Sequence, residues 1–348
     1  MRPKSPSQFQ LKRDETALAI ENSAINVLYE AVFQYDDVLI MLDVLVRDGN
    51  MWKAYEVKSS KAISDTYLKD AALQYYVLKG CNVLLSDFSL IYMNKDYILE
   101  DSLVLEDLFI TQSVLNHVDK QIDIIEKQIH FAKNTLELTS SPEIAIGNQC
   151  NYPYPCDFKG HCWKNVPEKS VLNLTTFDTD SLFELYHGGI QLVEQFPIDL
   201  IQITNQQYEI EAYNTNTLVF DKEALESYLE YFDITEITFL KVLFKQAAVP
   251  VIPKIKPYQL IPIAISFLKN NETEATTIVF SEDESGIKNF INLINDLILN
   301  STIITEDADL LLNCIEGLSA NFTAQNRILG LSELVENGMI YHPILSKD

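Results

Sequence analysis

The first 140 residues alternate between two spacings of apolar side chains. Helical spacing predicts three helices, over 15–29, 65–78 and 111–136. Runs of β-branched and aromatic residues predict strands over 31–46, 51–58 and 83–97. Helices mixed with antiparallel strands predict an α/β or α+β domain in this half of the chain.

The second half repeats the mixture after a loop. The segment Asn148–Trp163 contains Pro153, Pro155 and Gly160, which favour an irregular connection. Beyond it, the pattern predicts helices over 178–186, 197–213, 222–231, 285–299, 307–319 and 325–336. Strands are predicted over 237–244, 260–268 and 275–280. A chain of 348 residues with two such mixtures predicts two domains.

Charge bears on the choice of partner. The chain has 26 basic and 50 acidic residues, a formal net charge of −24. Residues 1–168 carry a net charge of −8, and residues 169–348 carry −16. Because phosphate binding normally leaves a basic surface, this charge argues against a broad grip on nucleic acid. It also makes the acidic second half a candidate surface for a protein partner.

Composition narrows the expected location. The first residues contain no apolar run, so no signal peptide is predicted. No stretch approaches about 18 uninterrupted apolar residues, which predicts that nothing spans or binds a membrane. Five cysteines are an odd number and too few for a disulfide scaffold. We therefore expect a cytoplasmic protein.

The hairpin around residues 49–50 carries the most informative charges. A two-residue turn there would place residues whose numbers sum to 99 opposite each other, which pairs Asp43 with Glu56. Because side chains alternate along a strand, Glu56 and Lys58 share one face, and Val57 is predicted to point into the core. Two carboxylates and one ammonium group are therefore expected to converge.

This convergence has two interpretations. A divalent cation such as Mg²⁺ or Mn²⁺ takes carboxylate, carbonyl and water oxygens, and it would offset the cost of Asp43 in an apolar strand. Lys58 would then orient a water molecule or stabilise developing charge. The alternative is a cross-strand salt bridge on a solvated face.

The same residues resemble a nuclease signature. Asp43 followed by Glu56-Val57-Lys58 is similar to the PD-(D/E)xK motif, in particular its RecB-like branch. The helix with Gln74 and Tyr75 resembles that branch's Gln/Tyr motif, although Leu78 stands where its tyrosine is expected. The resemblance implies that Asp43, Glu56 and the Val57 carbonyl hold the cation. It also implies that Gln74, Tyr75 and Tyr67 help to place the substrate strand.

Nearly the whole chain resembles one bacterial family, in which a RecB-like nuclease similar to the CRISPR-associated type is fused to a DnaQ-like exonuclease. This implies a restriction-endonuclease-like core in residues 1–168, a helical connector in 169–232, and a truncated RNase H-like/DnaQ-like domain in 233–348. It also makes Glu30 a third carboxylate near the metal. The alternative for Glu30 is a surface residue at the end of a helix.

Three cysteines, Cys150, Cys156 and Cys162, lie six residues apart in the proline-rich loop. In the RecB-like nucleases such cysteines hold an iron–sulfur cluster (4Fe–4S), with a fourth cysteine near the N-terminus. The first cysteine of this chain is Cys81, and the first domain is expected to be short at its N-terminus. Three interpretations stay open: an incomplete or lost cluster, zinc held with His161, or a vestigial loop packed by Trp163 and Phe158.

The second domain resembles an exonuclease that has lost its catalytic acids. Lys241 and Leu243 stand at the positions of an Asp-x-Glu pair that would hold two metal ions. Ile328-Leu329-Gly330-Leu331 stands where a further metal-binding Asp is expected. We expect this domain to be shortened and inactive.

Two functions follow from these observations. The first is a metal-dependent DNA nuclease acting on single-stranded DNA or on DNA ends. The alternative is a catalytically inactive, nuclease-derived protein that binds nucleic acid or serves as a scaffold.

Overall fold

The computed structural model describes residues 5–319 and 327–343. The chain divides into two compact units, of which the first combines Met1–Glu143 with Ala247–Tyr258. The second combines Ile144–Gln246 with Gln259–Asp348. Residues 144–168, which contain the three spaced cysteines, therefore belong to the second unit. Both units mix helices and strands, so the protein is of the α/β class.

The first unit contains a five-stranded mixed sheet. Its elements are α1 (Phe9–Glu21), β1 (Val27–Tyr35), β2 (Val38–Asp48), β3 (Met51–Lys58), α2 (Asp65–Gly80), β4 (Leu85–Met93), α3 (Leu105–Leu108), β5 (Phe109–Ser113) and α4 (Leu115–Leu136). The strands lie in the order β1-β2-β3-β4-β5. Neighbouring strands are antiparallel except for β3 and β4. These two are parallel, and α2 connects them.

Two hairpins connect β1 to β2 and β2 to β3. The predicted turn at residues 49–50 is confirmed, because Val44 pairs with Tyr55 and Asp48 pairs with Met51. A second hairpin at Asp36-Asp37 was not predicted, so the expectation of one strand over 31–46 is wrong. Both aspartates have positive φ angles, 50° and 60°. Aspartate tolerates this conformation and can therefore form a two-residue turn without glycine.

Strand pairing also moves two predicted helix boundaries. The helix predicted over 15–29 ends at Glu21, because Val27 and its successors pair with β2. The helix predicted over 111–136 begins at Leu115, because residues 109–113 pair with β4. In both cases the backbone hydrogen bonds of a neighbouring strand outweigh the local helical pattern.

Helices α2 and α4 bury one face of the sheet. Helix α2 is capped by Ser64, whose hydroxyl accepts a hydrogen bond from the Tyr67 N–H. Fully buried side chains on α2, β2 and β3 form the centre of the core: Leu42, Leu45, Ala54, Ala71, Ala72, Val77 and Leu78. This tightly packed helix fixes the polar residues on its inner face relative to the strands.

Residues 247–258, which we call the strap, pack in the first unit although the residues on either side of them, up to Gln246 and from Gln259, belong to the second. The Leu99 N–H donates to the Ile255 carbonyl at 3.1 Å, and the Lys254 N–H donates to the Leu99 carbonyl at 2.6 Å. Ile252 and Ile255 are 2% and 4% exposed. The strap is thus an integral part of the first unit.

The second unit contains another five-stranded sheet. Its elements are α5 (Lys159–Cys162), α6 (Thr179–His187), α7 (Thr204–Thr215), β6 (Val219–Phe220), α8 (Lys222–Leu229), β7 (Ile237–Gln246), β8 (Leu260–Lys269), β9 (Thr276–Val279), α9 (Glu284–Asn300), β10 (Thr302–Thr305), α10 (Ala308–Leu318), β11 (Ile328–Gly330), α11 (Leu331–Glu336) and β12 (Ile340–Tyr341). The strand order is β11-β10-β7-β8-β9. β7 is antiparallel to β8 and parallel to β10.

Strands β10 and β11 were not predicted, because runs of four and three residues are too short for a clear period. The helix predicted over 197–213 begins only at Thr204. Of the helix predicted over 325–336, residues 328–330 form a strand, and Gln325 lies outside the described residues. No helix in the described part of the chain has the length and apolarity needed to cross a membrane.

A buried carboxylate holds the helical part of the second unit together. Glu209 of α7 is 1% exposed and accepts hydrogen bonds from the backbone N–H and the hydroxyl group of both Thr175 and Thr176. All four lie between 2.5 and 3.1 Å. A charge this deeply buried is tolerated only when it is bonded in this way.

Candidate functional site

Strand β3 presents its acid to the inside of the first unit. Trp52, Ala54 and Glu56 are buried, whereas Val57 is 43% exposed. The prediction that Val57 points into the core is therefore wrong. Strand alternation requires that Glu56 share the inward face of Trp52 and Ala54, and the sequence signal was present in those two residues. Glu56 is consequently a buried carboxylate, 8% exposed, beneath α2.

Three acidic residues occupy adjacent register positions on β1, β2 and β3. Asp43 and Glu56 are the next residues on β2 and β3 beyond the last pair, Val44 with Tyr55, so they are neighbours in the register but are not themselves paired as predicted. In the β1–β2 pairing, the flanking residues match so that Glu30 stands opposite Asp43. We call Glu30, Asp43 and Glu56 the carboxylate row. Glu30 lies inside a strand, so its interpretation as a residue at a helix end is wrong.

The backbone is irregular at this row. Glu30 has a φ of 53°, which few residues other than glycine adopt. The regular pairing of β2 with β3 ends at Val44 and Tyr55, and the Val57 N–H donates to Asp43 Oδ2 at 2.7 Å instead. Residues held in such unfavourable backbone conformations concentrate at functional sites. The irregularity thus marks the same place as the charges.

Glu56, Lys58, Asp70 and Gln74 form what we call the four-residue cluster. Lys58 Nζ donates to Glu56 Oε1 at 3.0 Å and forms an ion pair with Asp70 Oδ2. Gln74 Nε2 lies 3.5 Å from Asp70 Oδ1. β3 supplies Glu56 and Lys58, two residues apart, and α2 supplies Asp70 and Gln74, one helical turn apart. Lys58 thus connects Glu56 of β3 to Asp70 of α2.

Two buried oxygens of this cluster have no hydrogen-bond partner among the described residues, Glu56 Oε2 and Gln74 Oε1. Burial raises the pKa of Glu56, and the charge of Asp43 adds to this, while Lys58 and Gln74 oppose it. Burial lowers the pKa of Lys58, but the hydrogen bonds and charges of Asp70 and Glu56 outweigh it, so its pKa is raised. Lys58 is therefore a protonated cation, and it lies beside a carboxyl group whose charged form is disfavoured by burial.

The three residues predicted to place the substrate lie in different surroundings. The Tyr67 ring centre is 5.4 Å from Lys58 Nζ, so Tyr67 borders the cluster. Gln74 lies within it. Tyr75 donates from its hydroxyl to Asp119 Oδ1 of α4 at 3.0 Å, and the structure does not bring it to the cluster.

The sequence did not single out Asp70, which is the second partner of Lys58. A signal was present, because Asp70 precedes Gln74 by four residues and must share its face of the helix. Ser59 was also not singled out. Its hydroxyl lies 2.6 Å from the hydroxyl of Tyr258 in the strap, which fixes the strand end next to Lys58.

The carboxylate row offers a partial set of ligands for a hard cation. Among the described residues, no group of three or more His, Cys, Asp or Glu side chains is placed to hold a metal ion. Two carboxylates and the Val57 carbonyl make a smaller set, to which water would have to contribute. The unpartnered Glu56 Oε2 fits such a role, because a buried carboxylate oxygen needs a donor or a cation.

The spaced cysteines show a different picture. Cys150 is buried, whereas Cys156 and Cys162 are exposed, and all three are free thiols. In the described residues they do not form a group placed for a metal ion, with or without His161. Trp163 packs edge-on against Phe183 at 6.1 Å, but Phe158 is 72% exposed and does not pack the loop. The described geometry therefore does not fit a closed four-ligand site.

The expected second site has no pair of acids on β7. Lys241 and Leu243 are both exposed, and Lys241 Nζ pairs with Glu306 Oε2 at 3.1 Å. They lie on one face of β7, and Lys241 lines a shallow groove of about 310 Å³ with Phe239 and Leu331. An ammonium group and a leucine provide no ligands for a divalent cation.

Comparison with known proteins adds no family. No protein-family model matches the chain, and no curated protein matches it.

Proposed function

We propose that the first unit is a metal-dependent DNA nuclease of the PD-(D/E)xK, RecB-like class. The observation that carries the proposal is the carboxylate row, with Lys58 bound to its last member Glu56. Acids on three adjacent strands beside one partly buried cation are costly to the fold. Such an arrangement is expected where chemistry requires it.

The residues of the site have distinct roles in this proposal. Asp43, Glu56 and the Val57 carbonyl would hold Mg²⁺ or Mn²⁺, with Glu30 as a third carboxylate. When bound, the cation supplies Lewis-acid polarisation of the scissile phosphate and activates water. Lys58 contributes a fixed positive charge that stabilises the negative charge developing on the phosphate or orients the attacking water. Gln74 and Tyr67 border the substrate strand, and Tyr75 is proposed to help place it.

We propose single-stranded DNA or DNA ends as the substrate. The chain has 26 basic and 50 acidic residues, which argues against a broad basic surface for DNA. This acidity favours phosphate binding over a small area, through the bound cation. The mixed sheets of both units are compatible with a restriction-endonuclease-like core followed by a truncated, inactive RNase H-like/DnaQ-like domain.

The test is cleavage of end-labelled single-stranded DNA in Mn²⁺. Asp43→Ala should abolish the cleavage, because it removes the central carboxylate of the row. Asp48→Ala is the matched control, since Asp48 lies on the same strand but contacts Ser86 and Lys53 at the hairpin. Cleavage that survives in Asp43→Ala, or that is lost equally in Asp48→Ala, would contradict the mechanism.

A second candidate is a nuclease-derived protein that binds nucleic acid or a protein partner without cleavage. Two observations favour it: no three-ligand metal group exists among the described residues, and β7 carries Lys241 and Leu243 in place of acids. It predicts that wild-type protein binds labelled DNA or a partner but shows no turnover in Mn²⁺. Turnover that Glu56→Ala lacks would exclude it.

A further inference from the structure

Lys58 has two acidic partners from two different elements of the fold. Glu56 lies on the same strand, and Asp70 lies on α2. In the proposed nuclease, Glu56 also serves the cation, so it cannot by itself hold the lysine. A carboxylate that faces both an ammonium group and a divalent cation brings two positive charges together, and these repel each other.

Asp70 has the geometry to hold Lys58 independently. Its Oδ2 pairs with Lys58, and its Oδ1 faces Gln74 Nε2, so each carboxylate oxygen has a defined neighbour. The helix that carries it is fixed by the fully buried Ala71 and Ala72. Such a carboxylate is restrained on both sides, in contrast to an ordinary surface ion pair.

We propose that Asp70 is the positioning residue of the site: it holds the Lys58 ammonium group between its own carboxylate and Glu56 Oε1, so that Glu56 Oε2 stays available to the cation. Without Asp70, the lysine would have Glu56 as its one anionic partner among the contacts described here. It would then compete with the cation for the remaining oxygen of that carboxylate, Glu56 Oε2. This inference rests on the proposed nuclease function, but its first test does not require cleavage.

The first test measures the accessibility of Lys58 in the metal-free protein, by amine acylation and residue-resolved mass spectrometry. The Lys58 side chain is 15% exposed and held by two acids, so it should react slowly in the wild type. Asp70→Asn should raise its labelling rate at least several-fold, and Asp70→Glu should restore most of the protection. Asp65→Asn removes the same charge from the exposed start of α2 and should label like the wild type.

The second test measures Mn²⁺ binding by calorimetry and single-strand cleavage with the same variants. Asp70→Asn should bind Mn²⁺ more weakly, because Lys58 is then no longer shared with Asp70 and neutralises more of the Glu56 charge. Its kcat should fall roughly 10- to 100-fold with KM nearly unchanged, the size expected when a catalytic group is displaced by about 1 Å. Asp70→Glu should recover part of both, which a general loss of folding would not permit.

The outcomes separate the two proposals. If Lys58 is labelled equally in the wild type and Asp70→Asn, the positioning role is overturned, even if the wild type cleaves DNA. If Asp70→Asn exposes Lys58 and Asp70→Glu protects it, the positioning role is supported. Absence of cleavage in every variant would then overturn the nuclease function alone. Circular dichroism of each variant checks that the fold is retained.

Discussion

The hydroxyl groups of Ser59 and Tyr258 lie 2.6 Å apart, although 199 residues separate them in the sequence. Ser59 directly follows Lys58, and Tyr258 ends the strap. The end of the proposed catalytic strand is therefore held by a segment from far along the chain. Tyr258 has a φ of 57°, a conformation that costs free energy and that the surrounding contacts must maintain.

This pair should be energetically coupled. Ser59→Ala and Tyr258→Phe each remove the same hydrogen bond, so the double variant should lose about 0.5–1.5 kcal/mol less than the sum of the single variants. The measurement is native-state hydrogen exchange at the Met93 amide, which donates to the Ser60 carbonyl beside the pair. Strictly additive effects would show that the two hydroxyl groups do not interact.

The buried isoleucines of the strap should stabilise the first unit. Ile255→Ala removes a side chain that is 4% exposed and should cost about 2–5 kcal/mol. Hydrogen exchange should show the loss in β3, β4 and α2. The control is Val251→Ala, since Val251 is 66% exposed in the same segment. Equal destabilisation by the two variants would contradict the packing described for the strap.

The acid of the four-residue cluster should reduce stability in the absence of metal. Glu56→Gln replaces a buried, partly unpaired carboxylate with a neutral group, which should raise the free energy of unfolding of the first unit by about 1–3 kcal/mol. The measurement is thermal unfolding in the presence of a chelator. Glu126→Gln, at an exposed position of α4, should leave the melting temperature unchanged. A lower melting temperature of Glu56→Gln would mean that the Lys58 ion pair outweighs the burial.

In the second unit, Glu209 should be essential for the helical part. Glu209→Ala leaves the backbone N–H groups of Thr175 and Thr176 without their acceptor, at about 1–3 kcal/mol for each. The expected loss is therefore about 2–6 kcal/mol, measured by denaturant unfolding. Glu211→Ala is the control, because Glu211 lies two residues further along the same helix at an exposed position. This variant should have little effect on the free energy of unfolding.

The cap of α9 should make stability depend on pH. Hydrogen bonds from the Gly286 backbone, together with Ser285 and Ser281, lower the pKa of Asp283 to about 2. A carboxyl with a lowered pKa stabilises the fold above its unfolded value of 3.8, and this stabilisation is lost as the pH falls towards 2. The melting temperatures of wild type and Asp283→Ala should therefore differ most above about pH 5 and converge near pH 2. A constant difference would contradict the role of the charge.

The hairpin register from Asp48 and Met51 to Val44 and Tyr55 was predictable because turn length fixes the opposite residues, whereas the end of the pairing before Asp43 and Glu56 was not. Trp52 and Ala54 also indicated that Glu56 faces inward, because they lie on the same face of the strand. The apolar character of Val57 indicated the opposite face, and this signal was misleading. The position of Glu30 across from Asp43 was not predictable, because the turn between their strands uses Asp36 and Asp37 in place of glycine. Asp70 and Tyr258 reach the site through tertiary packing, which no local pattern records.

The strap also has a consequence for synthesis on the ribosome. The first unit cannot bury Ile255 or join Tyr258 to Ser59 until residues 144–246 have been translated. At roughly 5–20 residues per second, this is a delay of about 5–20 s after Glu143 is added. During that interval the apolar surface around Leu99 stays uncovered on the nascent chain, and the strand that carries Lys58 lacks its final anchor. The proposed nuclease would therefore mature only when most of the second unit has also been made.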